Sequence, residues 1–223
     1  MRLPADDTSA QTHYLYGRYT IRTLARDGLT ELEAAVSAVN DEVHRLGREV
    51  EDLDAPIEDA IADRDRIDGK LDETARLVRN RLAGLGVGME KREPMISILP
   101  NGLAEYTEAT LGEQLDRYGL LLSRLETHLA ETDPIRVELA PRLERLLEDW
   151  QSAVSAVSAA RQAQDAAKRR LQQSISRWET ALHQVYGALV IQLGSRRQAD
   201  GFFRRASRAR QAATRGSPVE ASC

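Results

Sequence analysis

Four histidines are the side chains in this chain best suited to metal or acid–base chemistry: His13, His44, His128 and His183. A carboxylate di-metal site in a helical bundle needs two Glu-x-x-His pairs that face inward. None of the histidines has a glutamate three residues before it. Asp41 precedes His44 by three residues, and Glu179 precedes His183 by four, a spacing more typical of a surface pair. With Cys223 as the single cysteine there is also no Cys/His set for zinc, so we predict no metal site.

Glycine-rich stretches are the second chemical signal. Gly69-Lys70 lacks the glycine five positions earlier that a phosphate-binding loop requires. The run Gly84-x-Gly86-x-Gly88 follows a helical pattern, whereas a dinucleotide-binding loop follows a strand. Serines and threonines lie mostly at helix starts and on polar faces, without a histidine at a telling spacing. We therefore predict that the chain is not an enzyme and binds no cofactor.

The basic C-terminal segment is the remaining candidate binding element. Residues 196–215 carry seven arginines and one aspartate, whereas residues 1–195 hold 24 basic and 33 acidic side chains. The candidate partner-binding residues are Phe202, Phe203, Arg204, Arg205 and Arg208. Four alternatives stay open for them: closing the end of a bundle, or binding an acidic protein surface, an anionic membrane surface or nucleic acid. Nucleic acid is the least favoured, since the net-acidic body opposes binding to phosphates.

Long helices must position these side chains. Apolar or small residues recur at alternating steps of three and four from Leu143 to Leu189, which is typical of a coiled-coil or bundle helix. The same pattern runs from Leu32 to Ile57 and is interrupted at Pro56. A new helix could start there, because proline is tolerated in a first turn, but the continuing phase favours one kinked helix.

Three capping boxes predict helix starts, at Thr8 with Gln11, Thr30 with Glu33 and Thr110 with Glu113. The third of these helices has a predicted core face of Leu111, Leu115, Tyr118, Leu122, Leu125 and Leu129. Before it, Pro100-Asn101-Gly102 between two apolar runs indicates a turn.

These elements predict an all-α protein, an elongated antiparallel helical bundle or coiled coil with a small β-hairpin or ordered loop insert. The predicted segments are a short helix at 1–28, a long and kinked helix at 29–83, the insert at 84–107, a short bundle helix at 108–132, a long helix at 133–195 and a basic tail at 196–223. The seam between Ala153 and Ala167 is made of small residues and should be the weakest part of the long helix.

The unequal helix lengths bear on function. A third helix that covers only part of the two long ones leaves apolar flanks such as Ile61, Leu77 and Leu147, so we expect a homo-oligomer. The pattern favours a non-enzymatic scaffold, adaptor or assembly subunit that acts through protein–protein contacts. The alternatives are a peripheral membrane-surface assembly protein and a nucleic-acid-associated structural protein. One cysteine, no membrane-length apolar run and no signal-peptide pattern predict a cytoplasmic location.

Overall fold

The structure, a computed structural model, describes residues 1–5 and 8–204, and within them every regular element is helical. The helices are α1 Ala10–Arg26, α2 Thr30–Asp52, α3 Asp54–Ala83, α4 Met95–Ile98, α5 Ala104–Thr107, α6 Gln114–His128, α7 Pro134–Leu193 and α8 Arg196–Ala199, with 3-10 turns at Met89–Lys91 and Asp200–Phe202. The predicted all-α helical bundle is confirmed.

Side chains at the helix starts satisfy backbone N–H groups that have no partner inside the helix. The Ser9 hydroxyl accepts from the Thr12 amide at 3.2 Å, so α1 begins one residue later than the Thr8 box predicts. At α7 the Asp133 carboxylate accepts from the Ile135 amide at 2.8 Å, and Pro134 occupies the first helical position, where proline is favoured.

The chain around Pro56 forms two helices and not the single kinked helix that the sequence favoured. Helix α2 ends at Asp52 and α3 begins at Asp54, which places Pro56 in the first turn of α3. Proline has no N–H to donate to the carbonyl four residues earlier, so the hydrogen-bond ladder stops here. In a first turn that missing donor costs nothing, because those N–H groups have no helical partner in any case.

The insert is an ordered segment of helical turns, so the hairpin alternative is wrong. Two extended segments without a neighbouring sheet make a marginal hairpin, whereas single helical turns satisfy their backbone bonds locally. Ile98 and Tyr106 are fully buried, and the Tyr106 hydroxyl donates to the Ile98 carbonyl at 3.0 Å. Gly102 takes a φ of +75° in the predicted Pro-Asn-Gly turn.

The described residues divide into two compact units. Unit 1 comprises Met1–Asp52 and Gln164–Cys223, and unit 2 comprises Leu53–Ala163. Helix α7 contributes its first part to unit 2 and its second part to unit 1. Each unit has its own apolar core.

Unit 1 packs α1, α2 and the second part of α7. Ion pairs from Arg177 to Glu42 at 3.0 Å and from Arg170 to Glu49 at 2.6 Å show that α2 and α7 run antiparallel. Its core includes Leu24, Val36, Val43, Ile175, Trp178 and Leu182. Inside this core the Trp178 Nε1–H donates to the Asn40 side-chain oxygen at 3.1 Å.

Unit 2 packs α3, α6 and the first part of α7. Arg142 pairs with Glu73 at 3.3 Å and Arg81 with Glu138 at 3.1 Å, so α3 and α7 are antiparallel. The core includes Leu71, Val78, Leu82, Leu121, Leu125, Leu139 and Leu143. The half-buried Leu77 and Leu147 pack against it.

Helix α6 buries only part of the face that the sequence predicts. Tyr118, Leu125 and Leu129 are buried as predicted, and Leu122 packs against the core. Leu111 and Leu115 are 50% and 39% exposed, while Gln114 and Leu121 are buried. The cause is polar: the Gln114 side-chain amide donates to Asp68, and the hydroxyl of the buried Tyr118 donates to Asp72 at 2.7 Å. These contacts turn Gln114 inward, which a pattern of apolar residues alone cannot indicate.

Candidate functional site

An open groove between α3 and the first part of α7 is a concave surface of unit 2. It encloses about 460 Å³ and is lined among others by Asp63, Ile67, Asp149 and Ser152. A neighbouring recess of about 370 Å³ shares Lys70 and Asp149 with it and extends to residues 142–146. The two together form one surface, called the α3/α7 groove below.

The groove exists because several of the side chains that line it are small and because α3 has no buried side chain before Ile67. Every side chain of α3 from residue 54 to residue 66 is exposed or half-buried, and Ile67 is the first buried one. Ala60, Ser152 and Ala156 line the walls, so neither helix fills the space between them. Ile67, Leu146 and Ala153 form a floor that is only 7–8% exposed.

Charge is ordered along the groove. Asp59 and Asp63 line one end. Lys70, Arg142 and Arg145 line the other end, beside Glu73. The groove therefore carries an acidic end and a basic end, separated along α3 by about 16 Å between residues 59 and 70 at 1.5 Å per residue.

Most of these charges are available to a partner. Arg66 approaches Asp63 at 3.4 Å, but both side chains are more than 60% exposed, and such surface pairs contribute little. Neither Lys70 nor Asp149 has an ion-pair partner among the described residues. Asp63 and Arg142, by contrast, each have an exposed ion-pair partner in their own chain, Arg66 and Glu73, that a binding partner could replace.

The sequence-predicted tail residues lie elsewhere, in unit 1. Phe202 and Phe203 are 8% and 3% exposed and belong to the core of that unit. Thr23 donates to the Phe202 carbonyl at 2.9 Å, and the Tyr186 ring meets the Phe203 ring edge-to-face at 5.7 Å. Buried rings are not a contact surface, so the packing alternative describes them better than partner binding does.

The described arginines of the C-terminal segment do not share the burial of the two phenylalanines. Arg204 is exposed, whereas Arg205 and Arg208 lie outside the described residues. Binding of a partner by these arginines stays a prediction. Arg204 belongs to unit 1, whereas the α3/α7 groove residues belong to unit 2.

The histidines do not converge in the described part of the chain, which contains no group of three or more side chains suited to a metal. His13 is fully buried in unit 1, with Nδ1 3.1 Å from the Ser9 carbonyl oxygen. His44 stacks on Tyr14 with ring centroids 4.1 Å apart. His13 therefore packs against Trp178 of α7, with ring centroids 5.2 Å apart, and His44 packs α2 against α1.

Buried ionisable groups in unit 2 hold α6 and the insert in place. Burial raises the pKa of Asp68, opposed by the Gln114 hydrogen bond, and burial with the Asp72 contact raises the pKa of Tyr118. The Glu105 side chain is 4% exposed and accepts from Arg124 at 3.1 Å. Each of these groups faces a neighbouring helix and not an open cleft, which indicates a structural role.

Sequence reasoning found part of the groove and missed the rest. It identified the run of small residues that begins at Ala153, which lines the groove together with Ala156. It missed the ordered charges, because their arrangement depends on the register of α3 against α7. The signals that could have given the register are the ion pairs of Glu73 with Arg142 and of Arg81 with Glu138.

Comparisons with known proteins do not indicate what these surfaces bind. Comparison with protein-family models, with curated proteins and with solved structures found no significant match to this chain. No helix in the described part of the chain combines the length and the apolar character of a membrane span.

Proposed function

We propose that this protein is a non-enzymatic helical scaffold or adaptor that acts through protein–protein contacts on the faces of its helices. The observation that carries the proposal is the α3/α7 groove, an elongated concavity between two long helices with charges of both signs along its length. A groove of this shape suits an extended or helical protein segment. Its openness suits it less to a small ligand, which needs a site that encloses most of its surface.

The other two functions suggested by the sequence have less support. Membrane-surface binding by the tail relied on an apolar face with Phe202 and Phe203, and both rings are buried in unit 1. Nucleic-acid binding relied on the arginines alone, in a chain with a formal net charge of −4. The groove also carries as many acidic as basic side chains at its edges, which does not suit a phosphate backbone.

A photo-crosslinking amino acid at Ser152 tests the proposal in the full-length chain, expressed in the cells it comes from. Ser152 lies in the groove, and the matched control is Ser123, an exposed serine on α6. We expect covalent protein adducts from position 152 that position 123 does not form. Mass spectrometry then identifies the adducts, including any with a second copy of this chain.

Two results would contradict the proposal. One is the lack of protein adducts at both positions. The other is an equal set of adducts at both, which would mean that the groove is no more an interaction surface than any other exposed helix face. Circular dichroism of both purified variants checks that the substitutions leave the helix content unchanged.

A further inference from the structure

We infer that the α3/α7 groove binds the same groove of a second copy of this chain. The two α3 helices would lie antiparallel about a two-fold axis near Arg66 and Asp149. This inference rests on the proposed function and names its partner. The juxtaposition that carries it is the order of charges along the groove, acidic at Asp59 and Asp63 and basic at Lys70 and Arg142.

The charges on α3 are self-complementary. Asp63 and Lys70 stand at equal distances on either side of a point between Arg66 and Ile67, about 10 Å apart along the helix. An antiparallel second copy centred on that point brings Asp63 to Lys70 of the copy, and Lys70 to Asp63 of the copy. An isologous interface makes each such contact twice.

The charges on α7 extend the same match. Arg142 pairs with Glu73 in its own chain, so it lies about one turn beyond Lys70. Asp59 lies one turn beyond Asp63 in the other direction. The antiparallel arrangement therefore brings Asp59 to the level of Arg142 of the second copy.

Charges of both signs lie near the axis. Arg66 and Asp149 line the same groove, so each lies close to its own counterpart in the second copy as well as to the opposite charge of that copy. These contacts offset one another, and the charge match therefore depends on Asp63 and Lys70. A parallel arrangement does not give that match. It would place Lys70 at the level of Arg145, because these two residues line the same recess.

The walls permit the close approach that this arrangement needs. Ala60 and Ala156 at the acidic end leave room for the long side chains of the basic end of the other copy. The floor of Ile67, Leu146 and Ala153 is almost closed already, so a second copy adds little apolar burial. Charge pairs with partial exposure then provide the specificity, and the contact should weaken as salt rises.

Sedimentation velocity on the full-length protein tests the inference, over roughly 1 to 200 µM, the range in which a weak dimer forms. The variants are Asp63→Arg, Lys70→Glu and the double variant Asp63→Arg/Lys70→Glu. The control is Asp116→Arg, which makes the same charge reversal on an exposed position of α6. Circular dichroism and the thermal midpoint establish that each variant is folded.

We expect a dimer for the unaltered chain and for the control. Each single reversal places like charges opposite one another twice, so the dissociation constant should rise by about tenfold or more. The double variant should return it to within about threefold of the original, because Arg at position 63 then faces Glu at position 70 of the other copy. Raising salt should weaken the original and the double variant alike.

Three results would overturn the inference. The first is a monomer throughout the concentration range. The second is a dimer that neither single reversal weakens. The third is a double variant that dimerises no more tightly than the single variants. If the protein is a monomer in solution but crosslinks to a different protein at Ser152, the groove binds a protein other than a second copy. That result would overturn this inference and leave the proposed function standing. A monomer without adducts at Ser152 would overturn the proposed function as well.

Discussion

Replacing Gly17 by alanine should destabilise unit 1, although alanine is the better helix former. A Cβ atom at this position would lie 1.9 Å from the Asn40 side-chain oxygen and 2.9 Å from Trp178 Nε1. Asn40 and Trp178 are both fully buried, so neither side chain has solvent to move into. The new methyl group must therefore both strain the packing of α1 on α2 and move the Asn40 oxygen away from the Trp178 N–H.

The magnitude follows from three terms. Overpacking a closed core costs about 1–3 kcal/mol. Leaving the buried Trp178 N–H without its acceptor costs about 1–3 kcal/mol more. The gain in helix propensity returns about 1 kcal/mol, which leaves a net loss of about 3 kcal/mol in the free energy of unfolding.

Urea unfolding followed by circular dichroism measures this loss as a lower midpoint at constant slope. The matched control is Gly187→Ala, in the part of α7 that belongs to the same unit, where a Cβ meets no described atom within 4 Å. We expect that variant to be more stable by about 0.5–1 kcal/mol. The reasoning is refuted if Gly17→Ala raises the midpoint as the control does.

A double-mutant cycle with Asn40→Ala identifies the atoms that cause the loss. Without the Asn40 oxygen and Cγ, the two closest contacts of the new Cβ disappear. Gly17→Ala should then cost about 2 kcal/mol less than it does in the unaltered chain, which is a coupling typical of residues in contact. Equal costs in both backgrounds would mean that the clash lies elsewhere.

Two further substitutions test unit 2 by the same urea assay. Burial and the charges of neighbouring aspartates raise the pKa of Asp68, so its ionisation opposes folding and stability falls as pH rises through that raised pKa. Asp68→Asn should therefore be more stable than the unaltered chain at neutral pH, and the gain due to ionisation should vanish below about pH 4, where the aspartate is protonated in both states. The new amide can also donate to the Gln114 side-chain oxygen, a buried acceptor without a partner among the described residues, and a gain independent of pH would refute the ionisation argument. Leu121→Ala, at a fully buried position of α6, should cost about 3 kcal/mol, and Leu115→Ala, at a side chain 39% exposed, below about 1 kcal/mol. The reverse order would show that α6 presents the face that the sequence pattern predicted.

The long helices could be predicted from the sequence because their signals are local. Alternating steps of three and four define α2 and α7, and Asp133 with Pro134 marks where α7 begins. Gly28 follows the end of α1, in the turn before α2, and has a φ of +68°, a conformation that glycine accepts. None of these features depends on what another part of the chain does.

The features that the sequence did not indicate all depend on contacts between distant residues. Gln114 turns inward because Asp68, 46 residues away, accepts its amide hydrogen. Phe202 is held in unit 1 by a hydrogen bond to its carbonyl from Thr23, 179 residues away. The polarity of the groove needs both helices in register, which no single segment encodes.

The Asn40–Trp178 contact in unit 1 and the α3/α7 groove in unit 2 use polar groups differently, and the difference supports the proposed interaction surface. In unit 1 the polar Asn40 and Trp178 groups meet inside the core, where a mismatch leaves a buried donor unpaired. Such a contact favours one fixed packing of three helices. In the α3/α7 groove the charges stay at the surface, where exchanging one partner for water costs little. Groups arranged in this way suit a contact that forms and separates, and their order along α3 determines which surface they accept.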